Sequence, residues 1–166
     1  MVRNVNAKGK GGELELTLVP LQRLNLTLGL SHLESIVPNI LLPAGGTASA
    51  QLPQAPHWSV NAAVHYEWPM FGGTMSAQVD GKWDSLQYLE LENSQSDLQG
   101  SYGVANARLG FRSADDRWEV SAFVRNATNK YYKIYNLDVA GLFGNVVSVY
   151  GPPRVFGGTI TYRWGR

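Results

Sequence analysis

Cysteine is absent from this 166-residue sequence, which excludes a disulfide framework, a thiolate zinc site and a cysteine nucleophile but leaves the redox compartment open. Charge is scarce: 14 Lys and Arg face 13 Asp and Glu, and charged residues make up only 16% of the chain. With a net charge of +1 there is neither a basic face nor an acidic tail, so no nucleic-acid partner is expected. No segment approaches the roughly 18 consecutive apolar residues of a membrane helix, and the stretch from Met1 to Asn6 lacks the apolar core of a secretory signal. A membrane could be crossed by this chain only with strands. Catalytic patterns are missing too. No nucleophile elbow, phosphate loop or dinucleotide fingerprint occurs, and His32, His57 and His65 have no metal-ligand spacing. The expectation is no enzyme, no cofactor and no metal.

What the sequence does have is alternation, which places successive side chains on opposite faces of a strand. Glu13 to Leu18 sets three leucines against two carboxylates and a hydroxyl, and Leu24 to Ser31 repeats the pattern beyond a break at Pro20-Leu21-Gln22, so the pair reads as a hairpin. From Trp58 to Trp68 every even position is apolar, and aromatics mark both ends of that face. About 9 to 11 tilted residues span the hydrocarbon of a bilayer between two aromatic girdles, so Trp58 at one end and Tyr66 with Trp68 at the other bracket a membrane slab. Met75, Ala77, Val79, Gly81 and Trp83 share a face opposite Ser76, Gln78, Asp80, Lys82 and Asp84. Five polar or charged side chains in that second row imply a wet interior. Tyr102 to Arg112, Trp118 to Asn126 with Phe123 as an exception, and Phe156 to Trp164 complete about seven strands, with no helix-period segment between them. Connections near Pro20, Phe71 and Asp115 are short, whereas Glu34 to Pro56, Glu90 to Ser101 and Thr128 to Pro153 are long. Short turns at one end and long loops at the other are the arrangement of outer-membrane barrels. The fold class expected is all-β, an antiparallel transmembrane β-barrel segment of about 7 to 8 strands.

Four segments resemble one family in its own order. Asn6-Ala7-Lys8-Gly9-Lys10-Gly11-Gly12-Glu13-Leu14-Glu15 is similar to the N-A-x-K-x-x-G-x-E-x-E strand of TonB-dependent receptors, and Tyr102-Gly103-Val104-Ala105-Asn106-Ala107-Arg108-Leu109-Gly110 to their Y-x-L-x-N-x-R-x-G strand. Trp118 to Tyr132 resembles their W-x-x-x-x-x-x-x-N-L-x-D-K-x-Y segment, with Asn129 where Asp is common. Gly151-Pro152-Pro153-Arg154-Val155-Phe156-Gly157 and Tyr162-Arg163-Trp164 look like the closing segments, although Gly165-Arg166 follows where the family usually ends on an aromatic. The resemblance implies a barrel of about 22 strands around a plug, of which residues 1–166 would be the C-terminal part, without plug domain or signal peptide. It implies outer-membrane lipid as surroundings, the cell outer membrane as location and energised uptake of ferric siderophores or similar scarce ligands in complete relatives. TonB would be engaged only through the missing plug. Phe156, Ile160, Tyr162 and Trp164 resemble the terminal strand through which the barrel-assembly machinery recognises its clients. Taken alone, about seven strands would leave unpaired edges in hydrocarbon, so the isolated chain is expected neither to transport nor to insert stably. The alternatives are a self-contained small outer-membrane barrel, an adhesin or pore, which needs one more strand, and a soluble β-sandwich carbohydrate-binding module.

Several residues invite sharper readings. His32 and His57 flank the first long loop, where contact with an iron chelate competes with a solvated loop histidine; His65 sits on the polar face and should hydrogen-bond within the lumen. Glu90, Glu92 and Asp97 offer oxygen ligands but lack calcium-loop spacing, so exposed charge is the preferred reading. Asp80 and Asp84 read as lumen charge rather than a paired-carboxylate site. Tyr131, Tyr132 and Tyr135 form a ligand platform or, as preferred, part of the outer aromatic belt. Asn25 and Asn126 begin glycosylation patterns that read as chance matches.

Overall fold

The computed structural model describes residues 6–42, 45–139 and 144–165. The leader reading at Met1 to Val5 and the terminal Arg166 lie outside the described residues. Those described contain twelve strands and no helix: β1 (Lys8–Leu21), β2 (Leu24–Leu41), β3 (Thr47–Ala50), β4 (Trp58–Met70), β5 (Gly73–Asp84), β6 (Gln87–Tyr88), β7 (Leu98–Gln99), β8 (Tyr102–Ser113), β9 (Trp118–Arg125), β10 (Lys133–Asp138), β11 (Val146–Tyr150) and β12 (Val155–Tyr162). Seven of them form one antiparallel sheet in the order β1-β2-β4-β5-β8-β9-β12, with β3 added to the far part of β2; β6-β7 and β10-β11 are small separate ribbons. Each long strand pairs with the long strand next in sequence, an up-and-down meander. The outer edges of β1 and β12 have no pairing strand among the described residues.

Register decides which side chains share a face. One row runs Leu18, Leu26, Val64, Val79, Ala107, Val124 and Phe156, crossing all seven strands without a polar residue. The adjacent row, Asn25, His65, Gln78, Arg108, Phe123 and Gly157, lies on the opposite face. The apolar row starts near the turn end of β1 and leaves near the loop end of β12, which is the stagger expected of tilted strands in a barrel wall. Phe123, which breaks the alternation in sequence, stands on the wet face because Gly157 opposite it has no side chain; a Cβ there would collide with the Phe123 ring. An aromatic covering a strand glycine is a local packing solution rather than a change of face.

No second layer covers the apolar face. Leu14, Val64, Val79, Leu109, Phe156 and Ile160 are all exposed, and the only buried hydrophobic residues described are Val37, Ile40, Ala50 and Leu89. A soluble sandwich must bury its inner rows at a spacing of about 10 Å; here those rows face outward. The aromatic ends fit a bilayer. Trp58 and Trp68 are ten residues apart on β4, about 34 Å along a strand and about 24 Å along the normal at 45° tilt, close to the roughly 25 Å apolar band of such barrels. At the turn end Tyr66 stacks on Trp68 and Trp118 packs on Tyr162, which in turn meets Trp164.

The three short connections fall at that same end. Phe71 and Gly72 both have positive φ, 53° and 67°, between paired Met70 and Gly73, the geometry of a two-residue type I′ hairpin. The first turn lies at Gln22-Arg23, so β1 runs through Pro20 to Leu21 rather than breaking at the proline, which sits on an open edge where its missing N–H costs no ladder bond. Ser113 organises the third turn: its Oγ donates to Asp115 Oδ1 at 2.6 Å and accepts from Trp118 N at 2.9 Å, while Asp115 Oδ1 also accepts from Arg117 N at 3.2 Å.

Candidate functional site

The site is built from the wet face of the sheet and the three long connections above it. Across the wall runs the polar row Glu13, Ser31, Ser59, Asp84 and Tyr102, bordering a groove of about 880 Å³ that Gln54, Gln87 and Lys133 close from the loops. Asp84 is buried, accepts from Ser59 Oγ at 2.5 Å and pairs with Lys82 at 3.0 Å. Asp80 accepts from Gln78 at 3.0 Å and from Asn106 at 2.7 Å. Both carboxylates are thus held by partners within the wall, Asp84 by a cation and a hydroxyl and Asp80 by two amides, and they do not face each other across a cleft.

The loops bind one another more than they bind the wall. The first is not a loop throughout: β2 extends to Leu41 and β3 returns along it, where the alternation in sequence had suggested irregular chain from Glu34 onward. Val37, Ile40 and Ala50 pack there with Leu42, Leu52 and Leu91, the last contributed by the second loop. Asn93 of the second loop fastens the first by accepting from Gln51 N at 2.6 Å and donating to Gln51 O at 3.2 Å. The third loop is held by Lys133, whose Nζ donates to the carbonyls of Ser96 and Leu98 and whose N donates to Gln99 Oε1 at 2.6 Å. Asp97 is the centre of this contact. It is fully buried, accepting from Asn136 Nδ2 at 2.7 Å and from Ser94 Oγ at 2.7 Å, so the exposed-charge reading of Asp97 is corrected. A buried carboxylate survives only with such partners. Glu90 is partly buried, and that burial, with the nearby charges of Asp97, Glu92 and Asp138 adding to it, raises its carboxyl above the usual range. Among the described residues no three acids and histidines gather closely enough to hold a metal ion.

His32 and His57 do meet, with ring centroids 6.5 Å apart, but as structural groups: His32 Nδ1 lies 2.9 Å from His57 O, His57 Nε2 lies 2.8 Å from Gln51 Nε2, and the His32 ring packs 4.3 Å from Trp58. His32 lies on β2 and His57 in the loop before β4, both partly buried and tied to neighbouring groups rather than free in solvent. His65 lies on the wet face 3.3 Å from Glu67, as expected.

Residues 2–127 match the family described as TonB dependent receptor-like, beta-barrel. The chain belongs to that family. Its fold is that of known receptor barrels. The ferric yersiniabactin uptake receptor FyuA from Yersinia pestis superposes with a TM-score of 0.80 at 18% identity, over 94% of this chain and 23% of that one. The siderophore receptor PiuA from Acinetobacter baumannii gives 0.69 at 15% identity, over 94% and 22%, and the outer-membrane ferripyoverdine receptor of Pseudomonas aeruginosa 0.67 at 16% identity, over 94% and 19%. The chain therefore spans about a quarter or less of the receptors it resembles, as a wall segment rather than a closed barrel. The family is one of receptors, not of enzymes.

Within a TonB-dependent receptor wall, two residue groups gain definition. Tyr131 and Tyr135 are exposed, but Tyr132 turns inward, stacking on Tyr102 at 4.5 Å with its ring lying over Gly151; the outer-belt reading fails for Tyr132 because Gly151 leaves room for its ring beside the wall. The other is Asn126, whose role sequence reasoning missed although it stands in the motif shared with the receptors. It is buried at φ 48°, accepts from Lys130 N at 2.8 Å, and donates to Lys130 O at 3.0 Å and Pro152 O at 2.9 Å, bolting both roots of the third loop together. Phe156 and Ile160 on β12 and Trp164 beyond it are strongly exposed, while Tyr162 is half-buried between Trp118 and Trp164.

Proposed function

We propose that residues 1–166 are the C-terminal wall segment of a TonB-dependent outer-membrane receptor that takes up ferric siderophores or ligands of similar scarcity. The observation that carries this reading is the unbroken apolar row from Leu18 to Phe156, backed by a polar face that carries the groove and by three interlocked long loops at one end. Lipid wets the first face and water the second. Ligand enters from the loop end, and transport is energised through a plug that contacts TonB. Phe156, Ile160, Tyr162 and Trp164 serve as the terminal strand read by the barrel-assembly machinery. Supporting the reading are the family match and the receptor barrels of the same fold.

Because the chain has no cysteine, single-cysteine spin labels test the facing directly. Labels at Val79, Leu109 and Ile160 should relax with lipid-soluble oxygen, and labels at Gln78, Arg108 and Thr159 with a water-soluble nickel chelate; the reverse pattern, or no difference, overturns the assignment. Uptake is tested in cells. Deleting the coding region should slow growth under iron limitation and not in iron-replete medium, whereas equal growth in both would remove the siderophore reading and leave the wall assignment standing.

A further inference from the structure

On the wet face near the turn end, the paired residues Ser76, Gly110 and Ser121 lie side by side across β5, β8 and β9. Two residues along β8 in either direction stand Arg108 and Arg112, so the small residues form the floor of a recess of about 250 Å³ with a guanidinium on each flank. Gly110 makes that floor, since a Cβ there would meet the Ser76 hydroxyl. Ser121 is 6% exposed, and its buried Oγ has no hydrogen-bond partner. A buried hydroxyl without a partner costs free energy and is rare enough to require a reason. Arg108 makes no direct hydrogen bond or ion pair among the described residues, its charge and that of Arg112 reaching Glu119 only at longer range, and the Arg112 contact with Asp116 is a long one of 3.6 Å between exposed groups. Of the two acids that border the recess, Glu119 is paired with Arg163 at 2.7 Å, and Glu67 accepts a 3.3 Å contact from the His65 ring.

We infer that this recess is a carboxylate-binding site, in which Arg108 and Arg112 grip the anion and the Ser121 hydroxyl donates to it from the floor. A guanidinium presents parallel N–H donors that match a carboxylate, and a hydroxyl bond to an ionised acceptor is stronger than to a neutral one. The carboxylate is carried either by a small molecule in the lumen or by an acidic side chain of a peptide. This inference is independent of the siderophore reading.

The test uses the 166-residue chain held in detergent micelles, with β content verified by circular dichroism, and reads the arginine Nε–H signals by NMR. Sodium acetate, titrated against sodium chloride at constant ionic strength, should shift Arg108 and Arg112 saturably. Arg108→Gln should weaken binding about tenfold or more. Ser121→Ala should weaken it several-fold while leaving the anion-free protein equally or more resistant to denaturant, an outcome that a purely structural serine would not give. Arg108→Lys, which keeps the charge, should retain part of the affinity. A blocked tripeptide with central Glu that also binds, against one with central Gln that does not, assigns the peptide source; binding of acetate alone assigns the small molecule. Shifts that do not saturate, that chloride reproduces, or that survive both Arg108→Gln and Ser121→Ala would overturn the site.

Discussion

Replacing Asn126 with alanine should release the third loop while leaving the wall intact. Its side chain satisfies one buried N–H and two carbonyls, those of Lys130 and Pro152, which Ala would leave unpaired at about 1 kcal/mol each. The residue also sits at φ 48°, where Asn is tolerated and Ala is disfavoured by about 1 kcal/mol. Because the loop roots lie near the surface, water will recover part of the loss, and about 3 kcal/mol is a fair net figure. Local opening would then be populated roughly a hundredfold more often, and where opening is rapid relative to cleavage, proteolysis tracks that population. Trypsin provides the assay, since Lys130 and Lys133 fall within the loop and Lys133 is tied back by three hydrogen bonds. Cleavage there should accelerate about a hundredfold in Asn126→Ala with no loss of strand content by circular dichroism. Asn126→Gly, which relieves φ but loses the same bonds, should open less readily by a factor of about five. Cleavage rates equal to the parent's in both variants would show that Asn126 does not hold the loop.

Two further outcomes concern the turn end. Phe71→Asn places a residue suited to left-handed backbone in the first position of the type I′ turn; the hairpin should gain up to about 1 kcal/mol, read as slower amide exchange at Met70 and Gly73, and faster exchange would refute the turn assignment. Asp115 is held below the usual carboxylate range by the Ser113 hydroxyl first and the Arg117 N–H second. Its folded value being depressed, its contribution to the turn is present above the unfolded value of about 3.9 and is lost as pH falls through the lowered folded one. The Arg117 amide resonance should therefore titrate below pH 4 and become pH-independent in Asp115→Asn.

How much of this was legible in sequence depends on what each residue faces. Within the slab the two faces meet lipid and water, so alternation is compulsory, and the strands of the wall follow from it together with their facing. Beyond the slab both faces of β2 meet water or protein, no alternation is required, and the continuation through Ile36, Val37 and Ile40 carries no period-two signature. It is β3 and Leu91 that make it a strand, from positions the local pattern does not reveal. Asp97 is the same problem in polar form: an acid in a loop reads as exposed, and its burial is set by Asn136, 39 residues further on. Phe123 violated the pattern visibly, but its explanation, Gly157, lies on another strand.

The lateral edges set a limit on what the chain does alone. β12 has eight residues and β1 fourteen, and about half of the N–H and C=O groups of each point away from the sheet. In hydrocarbon each unsatisfied group costs several kcal/mol, so the two edges together cost on the order of tens of kcal/mol, more than a domain's whole stability of roughly 5–15 kcal/mol. Neighbouring strands must therefore cover both edges. Where none is supplied, the cheapest source is another copy, β12 of one against β1 of the next: both strands run from the loop end to the turn end, so two copies of one orientation pair there in parallel and keep their lipid-facing rows on one side. In micelles the chain should accordingly run as an oligomer by light scattering, with disulfides forming between copies when Leu16→Cys and Ile160→Cys chains are mixed and oxidised. Exported alone, it should neither become protease-resistant in the outer membrane nor shift in mobility on heating. A monomeric, heat-modifiable species would show that the sheet closes on itself and that the edge argument is wrong.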